Sequence, residues 1–347
     1  LLILLPANPK GHAMSVNRVV RLAKRPAPGL ISPDIFEIRD EPMPEPAEGE
    51  FRVAIEYVSL DPAMRGWVNE GKSYVPPVGL GDVMRAFAVG RVEVSRHPDF
   101  KEGDAVAGLL GAQSHAICDG RNVQRADTSI APLQSWIGGL GMPGWTAYFG
   151  LLRVGALKEG DTVVVSAASG AVGQIVGQIA RIKGARAVGI AGGERKCRAL
   201  IEEDGFDAAV DYKAGDLAAD LDKACPDGID VYFESVGGEI LDAVLPRMNT
   251  FGRIAVCGLI SAYNATSVPD GPKNLRYLLT SRLKMQGFIV FDFADELPVA
   301  LADLSQWVSQ GRLKFREDVR EGGLDVFPQT LNLLFSGDNF GKLSLKV

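Results

Sequence analysis

Two glycines three residues apart, Gly170 and Gly173 in SAASGAVG (166–173), have the type and spacing to hold a phosphate. Gly170 would let the backbone approach a pyrophosphate with no side chain in the way, and Gly173 would let a helix pack close to the strand before it. Ala171 and Val172 lie in the first turn of that helix, whose free N–H groups and positive dipole end would face the anion. The pattern is AxxGxxG, with Ala168 where the usual first glycine would stand. A second candidate site follows at Gly192-Gly193-Glu194-Arg195-Lys196. There the glycines leave room, Lys196 offers a charge to a ribose 2′-phosphate, and Tyr212 in DYK could add a hydroxyl donor. Glu194 is the competing residue: it could be the ribose-binding acid of an NAD site, or the cap of the next helix. The preferred reading is a phosphorylated dinucleotide.

These groups need a strand–turn–helix frame. The β-branched run at 162–166 predicts a buried parallel strand and 171–183 a helix. Further strands are expected at 186–190, 208–211, 229–234, 252–257 and 284–291. Helices are expected at 145–154, 194–204, 216–224, 238–247, 272–280 and 295–310. Strands alternating with helices imply a doubly wound parallel sheet. Before residue 130 the pattern is instead short strands and Gly/Pro turns, as in FRVAIEYVSLDP (51–62) and the two-strand stretch 86–111, which suggests a small, irregular β-barrel. The fold class is therefore α/β, a β-barrel domain plus a Rossmann sheet. The C-terminal NLLFSGDNFGKLSLKV ends as a strand that returns to the first domain. The expected division is 14–137 with 311–347, and 138–310. Residues 1–13 read as an added leader or an alternative upstream start ahead of Met14.

The chain of 347 residues carries a net charge of −6, which argues against a nucleic-acid partner. Its four cysteines are scattered and form no CxxC pair, so neither a disulfide framework nor a zinc cluster is suggested; reduced thiols in the cytoplasm are the default. No membrane partner is expected, because the apolar start is too short to span a bilayer.

The motifs SLDPAMRG (59–66), GMPGWTAYFGL (141–151), SAASGAVG, GGERKC (192–197), VYFESVGG (231–238), CGLISAYN (257–264), QGFIVFDF (286–293) and NFGKL (339–343) together resemble the zinc-independent medium-chain dehydrogenase/reductase superfamily. Within it they resemble the leukotriene B4 12-hydroxydehydrogenase, prostaglandin reductase and 2-alkenal (curcumin) reductase group. The resemblance runs from Met14 to the end. It implies a GroES-like catalytic domain, a Rossmann domain and NADPH in the cleft between them. Carried over by position, Gly170, Ala171, Val172 and Gly173 would wrap the pyrophosphate, and Lys196 and Tyr212 would hold the 2′-phosphate. Ser235 would follow the fourth strand. Cys257, Gly258, Leu259, Ile260, Ser261, Ala262 and Tyr263 would line the cofactor after the fifth. Phe288, Ile289 and Val290 would run beside the nicotinamide, Asn339 would bond it, and Met142 and Thr146 would sit near its ribose. A homodimer through the sixth strand is also implied. One departure stands out: the family's DPYMR is Asp61-Pro62-Ala63-Met64-Arg65 here, so the pocket should be larger or lack a polar contact.

No Cys or His occupies SLDPAMRG, where the zinc enzymes place ligands, and no GHE motif follows. An enone suits such a site: hydride adds to the β-carbon and charge develops on the enolate oxygen, where a hydrogen-bond donor stabilises it. Tyr263 is the candidate donor, or else a wall that orients the cofactor; Tyr263 or water would protonate the α-carbon. The expected activity is NADPH-dependent, metal-free reduction of the double bond of α,β-unsaturated ketones and aldehydes. The alternatives are a zinc-free quinone reductase and a non-catalytic NADPH-binding protein. Trp67, Tyr74 and Trp145 either line the substrate cleft or belong to the core.

Overall fold

A computed structural model describes residues 16–347, so the reading of residues 1–13 falls outside it. The N-terminal third is built from β1 (Val16–Leu22), β2 (Phe36–Pro42), β3 (Phe51–Ser59), a one-turn α1 (Met64–Trp67), β4 (Ala88–Ser95), β5 (Ala105–Gly108), β6 (His115–Cys118) and β7 (Val123–Arg125). β1 and β2 pair antiparallel, while β3, β4, β5 and β7 form a run with β6 attached to β3. Val20, Leu22, Phe51, Val53, Val58 and Val106 turn inward into one shared core; alternation sets most of them, and the register shift between Ile55 and Tyr57 brings Val58 to the same face.

The middle of the chain alternates. α2 (Met142–Phe149) closes in a π turn over Gly150–Val154. Then come β8 (Thr162–Val165), α3 (Gly173–Ile182), β9 (Arg186–Ala191), α4 (Glu194–Glu202), β10 (Ala208–Asp211) and α5 (Leu217–Ala224). They are followed by β11 (Ile229–Glu234), α6 (Gly238–Val244), β12 (Met248–Val256), a short α7 (Tyr277–Thr280), β13 (Lys284–Gly287) and α8 (Leu297–Ser309). All neighbours in this six-stranded sheet are parallel, in the order β10-β9-β8-β11-β12-β13. The order reverses beside β8, which opens a crevice at the carboxyl ends of β8 and β11. β8 reads TVVV and is buried at every residue, as a strand covered on both faces must be.

The chain then returns. β14 (Glu317–Arg320), α9 (Phe327–Ser336) and β15 (Lys342–Lys346) follow α8, and β15 pairs antiparallel with β3 to extend the first sheet. Gly341 donates its N–H to the Ser169 carbonyl at 3.0 Å and bridges Gly170, so the returning segment touches the turn after β8.

The structure shortens two expected elements. The strand expected over 284–291 ends at Gly287, and the chain enters a 3-10 run at Val290–Glu296. The helix expected over 272–280 forms only as α7, because Asp242 binds both the N–H and the side-chain amide of Asn274 (2.9 Å each) and holds that segment off the helix.

Candidate active-site cleft

The crevice is a cleft of about 530 Å³ between the two sheets. Its floor is the turn after β8. Ala167 takes the strained conformation here (φ 48°), so the tight bend falls one residue before Ala168, which is fully buried. At Gly173 a Cβ would lie 2.5 Å from the Ala167 carbonyl oxygen and 2.7 Å from the Ala168 Cα, so close packing demands glycine. At Gly170 a Cβ would meet only the Ala167 carbonyl oxygen, at 3.2 Å. The protein itself does not need glycine there, and the space over it belongs to the cleft. The helix expected from 171 begins at Gly173. The Ala171 N–H faces the Gly341 carbonyl across the bridge to the returning segment, while the amides of Val172 and Gly173 find no backbone acceptor among the described residues. Two free donors at a helix start can hold a phosphate.

Lys196, in the first turn of α4, reaches across the cleft and donates to the Gly337 carbonyl at 2.6 Å, at the end of α9. Burial lowers the pKa of its ammonium, and neighbouring Lys213 adds to that effect. Lys213, which the sequence reading left unassigned, makes this corner a pair of cations. Tyr212 lies against Gly192, where a Cβ would come within 2.9 Å of its ring. Gly193 takes φ 95°, which only glycine adopts freely, and opens α4. Glu194 pairs with Arg198 on the exposed face of α4, away from the cleft.

On the other wall, Ser235 donates its N–H to Ser166 Oγ at 2.8 Å, and Ser166 Oγ donates to Glu234 Oε1 at 3.0 Å. Burial raises the Glu234 pKa, and its carboxyl group accepts the Val236 N–H at 2.6 Å. This knot ties the ends of β8 and β11 and was not singled out in sequence. Burial pushes the Cys257 thiol up to about 12, so it stays neutral and serves as wall rather than nucleophile. Gly258, Ile260 and Ser261 also line the cleft, with Ser261 Oγ donating to the Val236 carbonyl at 2.6 Å. Leu259 and Ala262 do not line it; Leu259 is exposed. Phe288 borders the cleft, yet its ring packs inward on Phe233 (6.2 Å between centroids) and into the gap left by Gly150. Ile289, Val290 and Met142 line the same wall. So does Thr146, whose hydroxyl donates to the Met142 carbonyl at 2.8 Å. Asn339, from the returning segment, closes this end and donates to the Gly341 carbonyl at 3.2 Å.

Tyr263 enters from the loop after β12. Its hydroxyl receives only a long 3.4 Å bond from the Leu259 N–H, and burial raises its pKa, so the O–H is intact and free to donate. Tyr74 and Trp67 line the cleft from the N-terminal domain, with Trp67 Nε1 donating to the Tyr74 hydroxyl at 2.8 Å. Ala63 lines it too, whereas Trp145 does not. Leu334 and Phe335 at the end of α9, shortly before Gly337, also line the cleft; sequence reasoning missed them because α9 follows the last recognised Rossmann element. Asp61 borders the cleft but is bound at 3.0 Å by Lys342, which is 2% exposed. That pair holds the turn in place and leaves no free carboxylate. Among the described residues, no group of three or more His, Cys, Asp or Glu is placed to hold a metal ion.

A family described as the N-terminal domain of oxidoreductases matches residues 18–126, and one described as zinc-binding dehydrogenase matches 171–306. The NADPH-dependent curcumin reductase of Escherichia coli (strain K12) is 45% identical over 97% of this chain and 99% of its own length. A 2-alkenal reductase (NADP(+)-dependent) of Nicotiana tabacum is 44% identical over 82% of this chain and 84% of its own. The crystal structure of CurA in complex with NADPH from Vibrio vulnificus superposes with a TM-score of 0.88 at 45% identity, covering 95% of this chain and 99% of the other.

Proposed function

The chain belongs to the zinc-independent medium-chain dehydrogenase/reductase family, and from that premise we propose that it is an NADPH-dependent reductase of the carbon–carbon double bond of α,β-unsaturated ketones and aldehydes. One observation carries the reading. A single cleft joins a phosphate-holding turn and a cationic corner at one end to an un-ionised phenol and an apolar substrate side at the other.

The residues present fit the cofactor. The open approach to Gly170 and the free amides of Val172 and Gly173, with Ala171 between them, suit a pyrophosphate, while Lys196, Tyr212 and Lys213 suit a 2′-phosphate. Met142, Thr146, Ser235, Phe288, Ile289, Val290 and Asn339 would bound the nicotinamide half. When bound, NADPH supplies a hydride. Tyr263 donates its O–H to the substrate carbonyl oxygen, where negative charge develops as the β-carbon is reduced. Its raised pKa keeps that proton in place at neutral pH, and Tyr263 or a water returns a proton to the α-carbon. Trp67, Tyr74 and Ala63 would border the apolar body of the substrate.

The domains we assign are 14–137 with 311–347 for substrate and 138–310 for NADPH. We place the enzyme in the cytoplasm as a homodimer. Support comes from four unpaired cysteines, from the edge position of β13, and from exposed Leu279 and Phe251 beside it. No helix among the described residues is long and apolar enough to cross a membrane.

The test is NADPH oxidation with crotonaldehyde and benzylideneacetone, with product analysis. Saturated carbonyl products are expected. Allylic alcohols would overturn the regiochemistry, and turnover of a benzoquinone alone would overturn the substrate class.

A further inference from the structure

Arg65 is 4% exposed, yet its guanidinium meets only neutral oxygens. Nε donates to Asn264 Oδ1 at 3.1 Å and Nη1 to Asn69 Oδ1 at 2.5 Å. Nη2 donates to the carbonyls of Ala27 and Gly29 at 3.3 Å each. Its pKa is lowered by burial, with no carboxylate opposing that effect. A buried charge without a counter-ion is costly, and general stability does not explain its presence.

The placement of its partners does. Ala27, Gly29 and Asn69 belong to the first half of the chain, whereas Asn264 follows Tyr263 directly on the loop after β12. A Cβ on Gly29 would lie 3.8 Å from the Thr266 Cγ2, so the two loops touch beside this bond. The phenol of Tyr263 is not anchored by its own hydroxyl, whose one bond is 3.4 Å long. Its location in the cleft is therefore set by the loop that carries it, and Arg65 is what grips that loop from the substrate side. We propose that Arg65, through Asn264, is a positioning residue that latches the Tyr263 loop to the substrate-binding half and fixes the phenol over the substrate carbonyl. This rests on the assignment of Tyr263 as hydrogen-bond donor.

The experiment compares the full-length enzyme with Asn264→Ala, Tyr263→Phe and the double variant, using crotonaldehyde and NADPH varied up to saturation. Loss of positioning at a reacting group costs about 10- to 100-fold in rate. Asn264→Ala should lose that much in kcat with its KM for NADPH and its melting temperature unchanged. In the Tyr263→Phe background the same change should cost nothing further. Asn264→Asp keeps an acceptor for Arg65 and should recover kcat. The latch is overturned if Asn264→Ala keeps wild-type kcat, or if it lowers kcat by the same factor with and without the Tyr263 hydroxyl. If Tyr263→Phe is itself fully active, the donor assignment and the latch fall together. If Tyr263→Phe is impaired while Asn264→Ala is not, the latch alone falls.

Discussion

Replacing Lys196 by alanine should remove much of the preference for NADPH over NADH while leaving the enzyme folded. The ammonium has three donors, and one is engaged by the Gly337 carbonyl at 2.6 Å. The other two remain for a phosphate. A charge-assisted hydrogen bond contributes about 1.5–3 kcal/mol net. Lys213 lies close enough to depress the Lys196 pKa, so part of the positive field survives the substitution. The low end of that range therefore applies, and about 1.5 kcal/mol corresponds to roughly a tenfold change. The kcat/KM for NADPH should fall by about that factor, and the value for NADH should hold, because NADH has no group at this corner. The assay is steady-state kinetics with both cofactors and one enone. An unchanged ratio of the two kcat/KM values would refute the reasoning, whatever the absolute rates. A parallel fall with both cofactors would show that Lys196 braces α9 through Gly337 rather than reading the cofactor. Lys196→Ala/Lys213→Ala should flatten the preference further.

The two glycines of the turn should separate binding from stability. Gly170→Val fills open cleft and should abolish NADPH binding in titration with little change in melting temperature, whereas Gly173→Ala drives a Cβ against backbone and should cost about 1–3 kcal/mol in urea unfolding. Ala63→Tyr narrows the substrate side and should raise KM for benzylideneacetone while sparing crotonaldehyde; equal effects on both would show that Ala63 does not set the size limit. Glu317 is half-buried with its carboxyl oxygens shielded from solvent, and that burial pushes its pKa up to about 7 from 4.5. The unfolded chain thus loses this proton first, so stability from this group is present below pH 4.5 and is lost as pH rises towards 7, by at most about 3 kcal/mol. Glu317→Gln should remove that slope in denaturant melts across this window, and a parallel slope in both proteins would exclude the carboxyl as its source. Lys342→Met strands Asp61 in the interior and should cost about 3–5 kcal/mol in urea unfolding, part of which Lys342→Met/Asp61→Asn should restore.

The Rossmann half was the more legible because its signals are local. TVVV can only be a doubly covered strand, and the β10 and β11 ranges, 208–211 and 229–234, match their patterns residue for residue. Misjudged boundaries fall where a long-range contact overrides the pattern. The apolar run QGFIVF looks like one strand, but Phe288 leaves the ladder to fill the space that Gly150 vacates, and no period in the run records that. Asn274 is likewise held by Asp242, thirty-two residues earlier.

The site follows the same division. The phosphate turn and the Lys196 corner are continuous in sequence and were readable from residue type and spacing. The polar groups that fix the cleft walls are not. Ser166 meets Glu234 across 68 positions, Lys342 meets Asp61 across 281, and Arg65 meets Asn264 across 199. Each pair joins segments far apart in the chain and leaves no motif behind. Yet chemistry that relies on orientation depends on walls held to fractions of an ångström. A buried polar pair specifies one arrangement where apolar packing would tolerate several, because any other arrangement leaves its groups unpaired. In this fold most of the cleft-lining residues are therefore readable in the sequence, and the pairs that hold those walls emerge only when distant ends are brought together.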